Sequence, residues 1–167
     1  MPLRPEIAEL YSRHAKVHSG LDIGFADGGL SSTLRETCGG TWMTVETTAD
    51  DVRRVRTVLP ADSVLRMGAA AELPFEDAQF EVVVLNGRLI SAELVREIHR
   101  VLKPAGDLFF TVLQDSTGKN GYSAPLLYRL FLRNGFDVTA LRRPPWWHFG
   151  RRGRTLTVCA RRKAWRK

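Results

Sequence analysis

Cysteine is scarce. Only Cys38 and Cys159 occur in 167 residues, and their spacing matches no metal-ligand or redox motif. Both sit on apolar faces, so they are expected to be small core residues. No run of 18 apolar residues occurs, which excludes a hydrophobic helix long enough to span a bilayer. The first residues, Met-Pro-Leu-Arg-Pro-Glu, lack the apolar region of a signal peptide, so a cytoplasmic location is expected. Internal repeats, a linker and a metal-ligand constellation are also missing. Acidic residues are absent from one end. From Arg142 onward there are ten Lys or Arg and no Asp or Glu, within a chain of 25 basic and 18 acidic residues and net charge +7. The rest of the chain thus carries 15 basic and 18 acidic residues, and all the positive excess lies in the last stretch. Such an end is either a solvated face or a surface for an anionic partner, RNA or an acidic membrane, through residues 142–167.

The hydrophobic content is 44%, enough for one domain with a real core. The chain is organised around residues 19–31, Ser-Gly-Leu-Asp-Ile-Gly-Phe-Ala-Asp-Gly-Gly-Leu-Ser. Leu21 and Ile23 flank Asp22 in a short strand. Gly24, Gly28 and Gly29 follow, and Leu30, Leu34 and Cys38 recur at helical spacing until Gly39-Gly40. Strand, glycine turn and helix form the first unit of a doubly wound nucleotide-binding sheet. Glycines let the backbone approach a ligand, and the free N–H groups at a helix start favour a carboxylate or phosphate. A second apolar strand, 41–45, ends at Glu46, about 20 residues after the turn, where a ribose-hydroxyl acceptor sits in such folds. Asp27 inside the turn would repel a pyrophosphate. It tolerates S-adenosylmethionine, which carries no phosphate and is cationic at its sulfonium and ammonium.

Alternation continues along the chain. Residues 5–17 read as a helix, with His14 and His18 as surface or packing residues. Asp50 can cap a helix bearing Val52, Val55 and Leu59, which Pro60 ends. Strands are expected at 64–67 and 80–85, the latter apolar enough to be buried on both faces. Ser91 starts a helix whose stripe is Leu94, Ile98, Val101 and Leu102, with Glu93, Arg96, Glu97 and Arg100 on its outside. Lys103-Pro104-Ala105-Gly106 turns into a strand at 108–113. After a polar loop, Leu126, Leu127, Leu130 and Phe131 mark a helix closed by Asn134-Gly135. Strands at 136–141 and 155–160 form a final hairpin, expected to bring Arg142 and Arg143 beside Arg161 and Arg162. One domain is expected over 1–167, with a cofactor-binding core at 18–113 and the helix, hairpin and basic end at 114–167.

Three stretches resemble class I S-adenosylmethionine-dependent methyltransferases, most closely the ubiquinone/menaquinone-biosynthesis type, also called type 11. They are Leu21-Asp22-Ile23-Gly24-Phe25-Ala26-Asp27-Gly28; Gly68-Ala69-Ala70-Ala71-Glu72-Leu73-Pro74-Phe75-Glu76-Asp77 with Phe80-Glu81-Val82-Val83-Val84; and the segment from Arg96 to Leu108. The resemblance implies a Rossmann-like α/β fold with seven strands in the order 3-2-1-4-5-7-6, the seventh antiparallel. It implies S-adenosyl-L-methionine as cofactor. Asp22, Gly24, Ala26 and Gly28 would shape its methionine side, and Glu46 would hold the ribose. Ala69 and Ala70 would border adenine, and Asn86 and Gly87 would lie beside the methionine moiety and the substrate.

The sequence departs from that family at Ala26, which replaces a central glycine. It departs again at Ala69, where the family has an acid that accepts from the adenine amino group, and in the short 86–91 connection. No Asp-Pro-Pro-Tyr-like motif follows the fourth strand, which disfavours amino-methylating nucleic-acid enzymes. His148, among Trp146, Trp147 and Phe149, is the candidate general base; its other reading is part of an aromatic strand connection. Two functions stand. One is a methyltransferase acting on a small molecule, a quinone-like lipid or RNA. The other is a non-catalytic methyltransferase-like domain that binds nucleic acid or a protein through its basic end.

Overall fold

A computed structural model describes residues 16–24, 29–86, 90–113, 122–142 and 155–164. The glycine turn at 25–28, the expected helix before residue 16, Gly87, the aromatic cluster with His148 and the last three residues lie outside them. Lys16 and Val17, at the end of that expected helix, are not helical.

Strand β1 (Ser19–Ile23) leads to helix α1 (Gly29–Cys38), then β2 (Thr41–Glu46), α2 (Ala49–Val55) and β3 (Val64–Arg66). Next come β4 (Phe80–Asn86), α3 (Ala92–Val101), β5 (Leu102–Leu113), α4 (Ala124–Arg133), β6 (Phe136–Arg142) and β7 (Thr155–Arg162). They build one sheet in the order β3-β2-β1-β4-β5-β7-β6. Strands β1 to β5 are parallel, and β7 runs antiparallel to both β5 and β6. This is the order the resemblance implies.

Alternation along each strand divides the core in two. Leu21, Ile23, Val83, Leu85, Leu108 and Phe110 face α3 and α4, where Ile98, Val101, Leu127 and Phe131 meet them. Val82, Val84 and Phe109 face α1 and pack on Leu30, Leu34 and Cys38. Cys159 joins that second cluster, so both cysteines are buried and free, as their apolar surroundings suggest. Gly20 pairs with Trp42, and a Cβ there would lie 2.4 Å from the indole, so only glycine admits the ring. Helix α2 packs Val52 and Val55 on Val64.

Three local readings change. The cap of α2 is Thr48, whose hydroxyl accepts from the Asp51 amide at 3.0 Å, while Asp50 lies in the first turn. Thr48 has the extended backbone that a cap requires, and Asp50 is already helical. Residues 103–106 do not separate helix from strand. Strand β5 begins at Leu102 beside Phe80 and resumes pairing at Asp107 beside Val82, so the Pro-Ala-Gly turn is a bulge inside it. Finally, Arg100 is not a solvated residue. Its guanidinium donates to the Leu73 and Phe75 carbonyls at 2.9 and 2.7 Å and pairs with Glu97 and Asp77, clamping residues 73–77 onto α3.

The hairpin differs most from expectation. Arg142 pairs with Thr157, while Arg161 pairs with Asp137 and Arg162 with Phe136. Antiparallel arms reverse direction, so the end of the first arm meets the start of the second. Arg142 is thus four residues, about 14 Å, along the strand from Arg161, at about 3.4 Å per residue. No helix among the described residues is long and apolar enough to cross a membrane.

Candidate functional site

The carboxyl ends of β1, β2 and β3 lie side by side because the three strands are parallel neighbours. Open sheets of this kind bind ligands along that edge. Asp22, in β1, is fully buried. Its side chain points toward α1, opposite to Leu21 and Ile23, and accepts from the Ser31 hydroxyl in the first turn of that helix. Ser31 Oγ also lies 2.8 Å from Thr44 Oγ1 in β2, so Ser31 links the Asp22 carboxylate to the neighbouring strand. All three residues are buried, where such a network is rigid.

Gly24 follows with φ of +78°, and its amide donates to the Val45 carbonyl at 2.8 Å. The left-handed backbone is costly for other residues, which suits glycine at this position. Two acids lie near Gly24: Asp22, two residues before it in β1, and Glu46, which follows the Val45 that pairs with it. Glu46 is fully buried, and its carbonyl accepts from the Met67 amide at 2.8 Å, which ties the ends of β2 and β3 together. Two buried carboxylates on adjacent parallel strands suit a cationic ligand with hydroxyl groups.

Beyond Glu46 a cleft of about 500 Å³ is lined by Thr47, Arg66, Met67, Gly68 and Ala69. Ala69 thus lines a cleft next to the end of β2. Ala70 follows it, exposed, in the left-handed region at φ 51° and ψ 33°. Asn86 ends β4 and pairs with Thr111, so its backbone is at the same sheet edge; its side chain lies outside the described residues. Ala26, Gly28 and His148 also lie outside them. Among the described candidates, the edge brings together Asp22, Gly24, Glu46 and Ala69.

Sequence reading missed Ser31, Thr44, Thr47 and Arg66. Period-two alternation would have placed Thr44 on the face of Asp22, and its polarity on a buried strand was the available signal.

The basic end has another character. Arg161 makes a two-pronged contact with the buried Asp107, both bonds 2.8 Å, which holds its guanidinium more basic than usual. Arg162 donates to the Leu102 and Arg100 carbonyls, and Lys163 pairs with Asp137 at 3.3 Å. These three charges bind their own sheet.

The sequence matches a family described as a methyltransferase domain over residues 21–110. Among solved structures, a Methanosarcina mazei S-adenosylmethionine-dependent methyltransferase is 17% identical, with 99% of this chain and 100% of that chain covered and a TM-score of 0.75. A Haloferax volcanii methyltransferase, solved with the Trm112 methyltransferase activator, is 17% identical over 95% of this chain and 89% of that one, at TM-score 0.75. The [4+2]-cyclase SpnF is 15% identical over 95% and 80%, at TM-score 0.76. These likenesses show the fold, and SpnF shows that the fold also carries other chemistry. No curated protein matches the chain.

Proposed function

The chain belongs to the class I S-adenosylmethionine-dependent methyltransferase family, and we propose that it transfers the methyl group to a small molecule or a quinone-like lipid. One observation carries the cofactor site: two fully buried carboxylates, Asp22 and Glu46, flank a left-handed glycine at the carboxyl edge of adjacent parallel strands. They match a ligand with a positive methionine portion and a ribose. The cofactor supplies an electrophilic methyl on a sulfonium. This chain's part is to bind, orient and bring the acceptor in line, and effective molarity supplies much of such a rate.

Glu46 would accept from the ribose hydroxyls, since an ionised carboxylate offers about four lone-pair sites. Asp22, linked through Ser31 to Thr44, would hold negative potential beside the methionine portion, with Gly24, Ala26 and Gly28 shaping the turn around it. Ala69 and Ala70 would border adenine, and Asn86 would stand beside the acceptor. His148 is the candidate base for an acceptor that must lose a proton early. The inward bonding of Arg161, Arg162 and Lys163 supports a small acceptor over a polyanion. It also counts against the non-catalytic reading, in which the basic end is the working surface.

Calorimetric titration with S-adenosylhomocysteine tests the site. Wild-type protein should bind, and Glu46→Ala should lose about 1.5–3 kcal/mol, the range for hydrogen bonds to a charged group. Equal binding by the variant would remove Glu46 from the site. No binding by wild type at millimolar ligand would favour the non-catalytic reading.

A further inference from the structure

We propose that the outward face of α4 docks on an anionic lipid bilayer, an inference that deepens the lipid-acceptor reading above and rests on that reading for its purpose. Among the described residues, the exposed large apolar side chains are Val58 and three on this one helix: Leu126 and Tyr128, each 50% exposed, and Leu132 at 44%. Leu127 and Phe131 form the buried stripe of α4, and Phe131 packs against Phe110 and Phe136 with ring centroids 5.0 and 5.6 Å away. At about 100° per residue, the opposite face reads Tyr128, Leu132, Pro125, Arg129, Arg133 and Leu126 around the helix. All six are exposed. A solvated helix face mixes acids with bases. This one mixes apolar side chains with arginine and has no acid.

The surrounding charge has the same sign. From Gly121 to Lys167 the sequence has twelve Lys or Arg and one acid, Asp137. Asp137 is paired with Lys163 at 3.3 Å. On α3, which packs on the same face of the sheet, Glu93 pairs with Arg96 at 3.2 Å and Glu97 with Arg100 at 2.8 Å. No described acid pairs with Arg129 or Arg133. Leucines beside such arginines suit the surface of an anionic bilayer. Guanidinium heads reach lipid phosphates, while their stems and the leucines enter the acyl boundary. Tyrosine favours the same depth, with its ring apolar and its hydroxyl wet. RNA would use the arginines but not Leu126 or Leu132, since bases stack on aromatic rings.

Placement links this face to the chemistry. Strand β7 is antiparallel to both β5 and β6, so β6 runs in the direction of β1–β5. Helix α4 ends two residues before β6 begins and runs back along it, with its first turn toward the carboxyl edge. The Tyr122 hydroxyl donates to the Ile90 carbonyl, which ties that end of the helix to the segment after β4. A bilayer lying along α4 would therefore bring a lipid acceptor toward the sheet edge that carries Asp22 and Glu46.

The test is flotation of the full chain with vesicles of phosphatidylcholine alone and of phosphatidylcholine mixed with phosphatidylglycerol, at low and physiological salt. Wild type should float with the anionic vesicles and stay behind with the zwitterionic ones. Arg129→Gln with Arg133→Gln should weaken binding about tenfold or more and reduce its salt dependence, since each charge near an anionic surface contributes roughly fivefold in affinity. Leu126→Ser with Leu132→Ser should weaken it at both salt concentrations. Thermal melting checks that both variants keep the fold. Wild type that ignores anionic vesicles at low salt would overturn the proposal, as would binding that either double variant retains in full. Loss with the arginine pair alone, together with binding of single-stranded RNA, would make the face a polyanion surface instead. Failure of wild type to bind S-adenosylhomocysteine would overturn the methyltransferase site, and flotation is read independently of it.

Discussion

The carboxyl edge of β1–β3 and the hairpin β6–β7 both concentrate charge, and they use it oppositely. At the edge, Asp22 and Glu46 sit on neighbouring parallel strands whose ends coincide, so two acids distant in sequence converge on one place. In the hairpin, residues dense in sequence are spread apart, because antiparallel arms place Arg142 and Arg161 at opposite ends. The arginines that remain near the core bond inward, to Asp107 and to strand carbonyls. Topology rather than local charge density decides whether charge gathers into a site.

Mutations that separate ligand affinity from stability break or sharpen this contrast. The largest effect is expected at Arg161. Arg161→Ala removes a bidentate partner from the buried Asp107, and should cost about 1–3 kcal/mol of stability, less at the solvent-exposed end of that range. Affinity for S-adenosylhomocysteine should stay unchanged; chemical denaturation beside calorimetry checks both. A stable variant with weakened ligand binding would place the hairpin in the site.

At the edge, Ser31→Ala should weaken S-adenosylhomocysteine by about 1 kcal/mol, the usual worth of one hydrogen bond. Methylthioadenosine, which lacks the amino-acid portion, should bind the variant as it binds wild type. Ser31→Thr keeps the hydroxyl and should recover much of the loss. Equal losses for both ligands would make Ser31 a packing residue only.

The smallest effect concerns pH. Burial, and secondarily the Arg162 charge, lower the His99 pKa. The ring packs edge-on against Phe136 at 5.3 Å. The unfolded chain then binds the proton more readily than the folded one. Stability from this group is full above about pH 6.5 and declines as the pH falls from there toward the lowered folded value. His99→Gln should flatten that part of the denaturation profile. An identical slope in the variant would show that other groups carry the dependence.

The alternating strands and helices were legible because each announces itself by its own period, while the strand order followed from the resemblance to the methyltransferase family. Asp22 was legible as an acid between Leu21 and Ile23 in the first apolar strand, and Glu46 as the acid closing the second. What escaped depends on distant partners. Arg100 sits on the polar side of its helix, and nothing in that period reveals that residues 73–77 fold over it. The hairpin register depends on a long connection and on the irregularity between Val138 and Ala140, so the pairing of Arg142 was beyond pattern reading. The role of Ser31 needed the third dimension, since its partners come from β1 and β2.

If ligand chemistry belongs to the carboxyl edge and the hairpin is framework, a bound ligand should touch only the first. Amide hydrogen exchange with and without saturating S-adenosylhomocysteine tests it most directly. Added protection is expected at residues 21–24, 44–47 and 66–72, with exchange at residues 136–142 and 156–164 unchanged. Protection confined to the hairpin, with none at the edge, would contradict it.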